Sequence, residues 1–198
     1  LMLAGIEGDD LKELNAAMNY AAEHDVVMII GAGNNAAYYN NYPGPSTATL
    51  VTGCSLNDKV WTQTTNQKGK AYTQGTNYGP QLDILAPCIK IVVANPHKPA
   101  WYKVADGPRG PYDVKFDGEY EVYPAGGTSI SVAFAAGLAA LVRSAHPGLT
   151  AAQTAQIIRE TADDFPPAGR DDQNGWGELN FYKAVKTAAD RAANAPAK

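Results

Sequence analysis

The chain has 198 residues, 45% of them hydrophobic, with a formal net charge of -4 and a pI near 5.3. That length and apolar content suffice for a buried core and read as a single globular unit. The acidic balance and the lack of Lys/Arg runs interleaved with aromatics exclude a nucleic-acid surface, the longest apolar runs fall short of a bilayer span, and two cysteines, Cys54 and Cys88, are too few for a disulfide scaffold.

In chain order, Leu11, Leu14, Met18 and Ala21/Ala22 recur at helical spacing and predict a helix over 10–24, with Asp10 and Glu13 spaced as a capping box. The apolar run that follows predicts a strand at 26–30 buried on both faces. Further strands are expected at 48–52 and 82–85, with an extended piece at 89–93. A Pro- and Gly-rich stretch at about 94–124 reads as an insertion, either a flap beside a site or a surface loop. Within it, polar and apolar residues alternate around Asp117-Gly118 and predict a β-hairpin. An alanine-rich helix is expected at about 129–145, a helix capped by Thr150 running to about 163, and a last helix at 180–193 before a frayed tail. Helices alternating with strands define an α/β fold with a mostly parallel sheet and helices on both faces.

The first strand ends in Gly31-Ala32-Gly33-Asn34-Asn35-Ala36, which satisfies a dinucleotide-binding fingerprint. That motif works only where a helix starts inside it and turns its N-terminus on the pyrophosphate. Here the chain continues Ala37-Tyr-Tyr-Asn-Asn-Tyr-Pro-Gly-Pro45, a loop with two prolines. No acidic residue follows at the tip of a next strand, since Asp58 sits in a polar loop, so nucleotide binding is set aside.

The stretch Gly126-Gly-Thr-Ser-Ile-Ser-Val-Ala-Phe-Ala-Ala-Gly137 is a glycine turn opening into a small-residue helix. Ser129 falls in the first helical turn, where unpaired N–H groups and the helix dipole favour developing negative charge. Alone, the tetrapeptide also reads as an ordinary N-cap. Three further stretches occur with it: Ala32-Gly33-Asn34 at a strand end, Asn77-Tyr-Gly-Pro-Gln-Leu-Asp-Ile-Leu-Ala-Pro87, and Gly175-Trp-Gly-Glu-Leu-Asn180. In this order the four resemble the signatures of subtilisin-like serine peptidases (subtilases, peptidase family S8) and cover nearly the whole chain.

The resemblance implies Ser129 as nucleophile and the Asn34 amide as donor to the tetrahedral oxyanion, in proteolysis of a polypeptide substrate. It implies substrate contacts along Leu3, Ala4 and Gly5, along Gly31, Ala32 and Gly33, and at Thr128. Asn41, at the position before Tyr-Pro-Gly, would shorten the specificity pocket and disfavour large aromatic P1 residues. No cofactor is implied; a structural calcium is not readable from the residues. The family's oxidising surroundings imply a secreted or periplasmic location and favour a Cys54–Cys88 disulfide, though two buried free thiols fit as well.

A serine nucleophile needs a general base, itself oriented by a carboxylate. The family carries these in Asp-(Ser/Thr)-Gly and His-Gly-(Thr/His) motifs upstream of the Ala-Gly-Asn strand, and neither motif occurs here. His24 and His146 read as structural, and His97 lies in the insertion, out of family order. The expectation is therefore a C-terminal part of the catalytic domain, inactive as the isolated chain and completed by an N-terminal segment of the same peptidase that carries the Asp and His. The alternative is a pseudopeptidase or binding module of the same fold. Ala133-Phe134 also replaces the family's Pro-His after the serine.

Overall fold

The computed structural model describes residues 10–39, 47–56, 60–67, 70–89, 91–94, 103–104, 112–113, 116–117, 120–123 and 126–194. Its elements run α1 (Asp10–Glu23), β1 (Met28–Gly31), β2 (Thr49–Ser55), β3 (Thr62–Gln67), β4 (Lys70–Gly75), β5 (Ile84–Pro87), β6 (Ile91–Ala94), β7 (Lys103–Val104), β8 (Tyr112–Asp113), β9 (Phe116–Asp117), β10 (Tyr120–Tyr123), α2 (Thr128–Ala145), α3 (Ala151–Glu160) and α4 (Phe181–Ala193). β1, β2 and β5 form a parallel sheet in the order β1-β2-β5, with Met28 opposite Thr49 and Thr52 opposite Ile84. Every position of β2 is buried, as a strand covered on both faces requires.

Strand alternation sends Leu50 and Val51 to opposite faces. Leu50, with Ile29, Ile84 and Ala86, packs with Ala135, Leu138 and Val142 of α2, Ile157 and Ile158 of α3, and Ala184 and Ala188 of α4. On the other face Val51 and Leu85 pack with Ala32, Leu82 and Phe165. α1 lies along β1. The α/β class expected from the alternation of elements is the class observed. α2 corrects the reading of the apolar runs, because its 18 residues are long and apolar enough on their own to cross a membrane. Here it is the core helix: Ser131, Ala135, Leu138 and Val142 are buried, and the Ser131 hydroxyl donates to the Ala86 carbonyl at 3.0 Å.

The helix caps lie at or next to the residues that the sequence marks for them. Thr150 caps α3 in a reciprocal capping box with Gln153, and Asn180 caps α4 by accepting from the Lys183 N–H at 2.8 Å. At α1 the described helix runs from Asp10, and the residues before it lie outside the described residues. The hairpin around Asp117-Gly118 has Asp117 opposite Tyr120, and β10 also pairs antiparallel with β6, so this small sheet leads directly toward Gly126. The β3–β4 hairpin, with Thr62 opposite Gly75, has no such sequence signal. Its strands, Thr-Gln-Thr-Thr-Asn-Gln and Lys-Ala-Tyr-Thr-Gln-Gly, lack the apolar contrast on which a period of two is read.

One charge cluster bolts α3 to the sheet, and a second ties the turn after α1 to α2 and α3. The Asp83 carboxylate, just ahead of β5, accepts from the Val51 N–H and from Arg159 Nε, both at 2.8 Å. Arg159, in the last turn of α3, also donates to the Thr49 carbonyl at 2.6 Å and to Thr47 at 3.2 Å. Both side chains are more than four-fifths buried. Truncating Arg159 to alanine strands a buried carboxylate and two strand-end carbonyls, so we expect a loss of about 3 kcal/mol in unfolding free energy, measured by urea titration of the full-length protein. A loss below about 1 kcal/mol, the range of an exposed pair, would contradict that account. Asp25, held at a positive φ of 60° just past α1, accepts from the Ala151 N–H at 2.5 Å and pairs with Arg143. The amide bond first, and the guanidinium second, hold its carboxyl below the usual carboxylate range.

Candidate active site

β1 is the element that delivers Asn34. It ends at Gly31, and three residues later the half-buried Asn34 side chain meets the start of α2. Its Oδ1 accepts the Thr128 N–H at 2.9 Å, while the buried Thr128 hydroxyl accepts the Gly33 N–H at 3.1 Å. These reciprocal bonds clasp the strand end to the helix start over a separation of 94 and 95 residues. Gly127, at the N-cap, supplies no side-chain cap; Asn34 fills that role from a distance. With Oδ1 so engaged, the amide's orientation is set, and Nδ2 is its donor end.

Ser129 is the second residue of α2, next to the clasped Thr128, and is exposed. The turn in front of it depends on a glycine at 126, because a Cβ there would stand 1.7 Å from the Cys88 carbonyl oxygen. The Asn34 side is held by a second strut. The Asn77 Oδ1, in a residue only 7% exposed, accepts from the Asn35 N–H at 3.0 Å and the Ala37 N–H at 3.2 Å. Gly33 turns at a positive φ of 92°, and a Cβ there would meet the Asn77 amide nitrogen at 2.5 Å. Asn77 opens one of the family stretches, but nothing near it in the sequence marks it as a brace; that role depends on backbone some forty residues away.

Gly31, Ala32 and Gly33 are buried at the sheet end, and Thr128 is 2% exposed, bonded into the clasp. Leu3, Ala4, Gly5, Asn41 and His97 lie outside the described residues. His146 caps the C-terminus of α2 through its N–H to the Val142 carbonyl. At 1.5 Å rise per residue it stands roughly 25 Å from Ser129 along the helix. His24 packs on Tyr20 and bonds its carbonyl through Nδ1 at 2.8 Å. It adjoins Asp25, which pairs with Arg143 in the last turn of α2, so it too sits at the far end. Neither can serve Ser129 as base. The replacement at 133–134 leaves α2 unbroken, with the Phe134 ring packed edge-on to Phe181 at 6.4 Å between centroids.

Cys54 and Cys88 form a disulfide, with Cα atoms 5.4 Å apart, within the range that the bond allows. Bridging positions 34 residues apart, it stabilises the fold by about 3 to 4 kcal/mol on the chain-entropy model.

A parallel α/β sheet whose strand end and helix start bring an asparagine amide beside a first-turn serine is the architecture of a subtilisin-like serine peptidase. The subtilase family model matches residues 5–177, and the chain belongs to the subtilase family. It is 33% identical over 190 residues to mycosin-2 of Mycobacterium tuberculosis, covering 89% of this chain and 33% of that protein. It is 26% identical over 164 residues to the halolysin-like extracellular serine protease Nep of Natrialba magadii, covering 83% of this chain and 24% of that protein. The fold is shared with the psychrophilic subtilisin-like protease of Pseudoalteromonas sp. AS-11, at a TM-score of 0.63 and 15% identity over 98% of this chain and 70% of the other. The chain therefore spans about a third or less of these two curated relatives.

Proposed function

We propose that this chain supplies the nucleophile and the oxyanion hole of a serine endopeptidase that hydrolyses polypeptides. The single observation that carries the reading is the clasp that aims the Asn34 amide at the start of α2, beside Ser129. Ser129 Oγ attacks the scissile carbonyl; the bond from carbonyl carbon to Oγ forms while the C=O electron pair moves onto oxygen. Asn34 Nδ2 and the positive end of the α2 dipole receive that charge, and expulsion of the amine, which takes up the proton that the base removed from Ser129, leaves an acyl group on Ser129. Water then releases the acyl group.

The proton of Ser129 needs a base, which we assign to a histidine, oriented by an aspartate, on an N-terminal segment of the same peptidase. Two features support a seat for such a segment. Among the described residues β1 has a strand partner on one side only. Apolar cavities of about 280 and 330 Å³ flank it, lined by Leu14, Met18 and Ile30 in one case and by Val27, Ala136 and Ala140 in the other. A secreted or periplasmic setting suits the disulfide. Asn41 is assigned to the wall of the specificity pocket, where it works against large aromatic P1 residues. The chemistry calls on no cofactor.

The test is to incubate the full-length peptidase with a fluorophosphonate probe and map the adduct. Label on Ser129 is the expected result, with slow labelling of the isolated 198-residue chain. An active protein labelled on another serine overturns the assignment, and a folded full-length protein with neither activity nor label makes it a pseudopeptidase of the same fold.

A further inference from the structure

The disulfide touches both halves of the site. Cys88 carries the carbonyl against which the Gly126 backbone is pressed. The two sulfur-bearing residues pack with Trp61, Ile89 and Ile130, and Ile130 is the neighbour of Ser129. On the other side the Thr76 hydroxyl grips the Cys54 backbone twice, accepting from its N–H at 2.9 Å and donating to its carbonyl at 3.0 Å. The Gly75 N–H, one residue before Thr76, donates to the Asn34 carbonyl at 3.1 Å, and the Asn77 N–H, one residue after, donates to the Gly33 carbonyl at 3.0 Å. A path of chain neighbours and contacts thus runs from Ser129 through Ile130 to the buried disulfide, which Gly126 also meets at Cys88, and from Cys54 through Thr76 and its neighbour Gly75 to Asn34.

We propose that the Cys54–Cys88 disulfide is a positioning element for catalysis: a covalent crossbeam that sets the spacing between the arm carrying the nucleophile and the arm carrying the oxyanion donor. The physical reason lies in its place at the C-terminal ends of β2 and β5, where ladder pairing stops at Ser55 and Pro87. Beyond that point no ladder hydrogen bonds fix the two strands to each other among the described residues. Both cysteines are fully buried, so the bond works by geometry and not as an exposed thiol pair. The proposal rests on the assignment of Ser129 and Asn34 as nucleophile and oxyanion donor.

The experiment compares the full-length peptidase with Cys54→Ala/Cys88→Ala and with Cys54→Val/Cys88→Ala, which refills part of the volume of the lost sulfurs. Fluorophosphonate labelling rate, kcat and KM are measured well below each unfolding midpoint, and folding is checked by circular dichroism. Misplacement of catalytic groups by about 1 Å costs on the order of 10²-fold, so both variants should label and turn over about 10- to 100-fold more slowly with KM little changed. The Val variant should regain thermal stability without regaining kcat. A folded variant with wild-type kcat and labelling rate overturns the crossbeam. Should neither cysteine variant fold, Ile130→Val leaves the bond intact and thins its contact with the nucleophile turn; unchanged kcat in that variant overturns the proposal, and a severalfold fall supports it. Failure of the wild-type protein itself to label at Ser129 would instead sink the catalytic assignment.

Discussion

Replacing Ser129 by alanine is expected to lower kcat of the full-length peptidase by about 10⁶, leaving its unfolding midpoint unchanged. The magnitude is the one known for the nucleophile of subtilisin, a member of this family. The direction follows from the site. Ser129 is exposed at the start of α2, so loss of its hydroxyl removes the proposed attacking oxygen without opening the core, and surface substitutions of that kind cost within about 0.5 kcal/mol. Peptide turnover and the urea midpoint, measured on the same preparation, check both halves. Residual turnover above about a hundredth of wild type would mean that another group attacks the carbonyl.

Asn34 has two ends with two duties, and they can be separated. Its Oδ1 caps Thr128, which is worth about 1 kcal/mol to the start of α2. Its Nδ2 is the proposed oxyanion donor, and loss of such a donor in subtilisin, again the family's own example, costs about 10²- to 10³-fold in kcat. Asn34→Ala should lose both, falling in stability and in kcat while KM stays near wild type. Asn34→Asp keeps an acceptor for the Thr128 N–H and places negative charge at a helix N-terminus, which favours the fold by some tenths of a kcal/mol. That same charge repels the oxyanion. The aspartate variant should therefore match or exceed wild type in thermal midpoint and fall at least as far as alanine in kcat. An aspartate variant that keeps wild-type kcat would remove Asn34 from the chemistry, and one as unstable as the alanine variant would remove the capping role.

Much of the fold is legible in the sequence because its signals are local. The helix caps at Thr150 and Asn180 and the buried strands at β1 and β2 are written in residues within a few positions of each other. The stretch from Leu82 to Pro87 carries a family signature, but its Asp83 is a bolt between β2 and α3, and that role depends on Arg159, 76 residues away. The Gln- and Thr-rich β3–β4 hairpin is illegible because neither face contrasts with the other.

By itself, then, the sequence determined the α/β class, the order of the main helices and parallel strands and the placing of a serine in the first turn of a glycine-led helix. Those follow from periodicity, capping and glycine's freedom, which act over one or two turns of chain. Only the tertiary structure decided which end of the Asn34 amide is spent on α2, that Asn77 braces the strand end, that Cys54 and Cys88 are joined, and that His24 and His146 stand at the wrong end of the core helix. Each of these is a contact between segments separated by tens of residues, set by how the helices pack on the sheet, and no local preference encodes it.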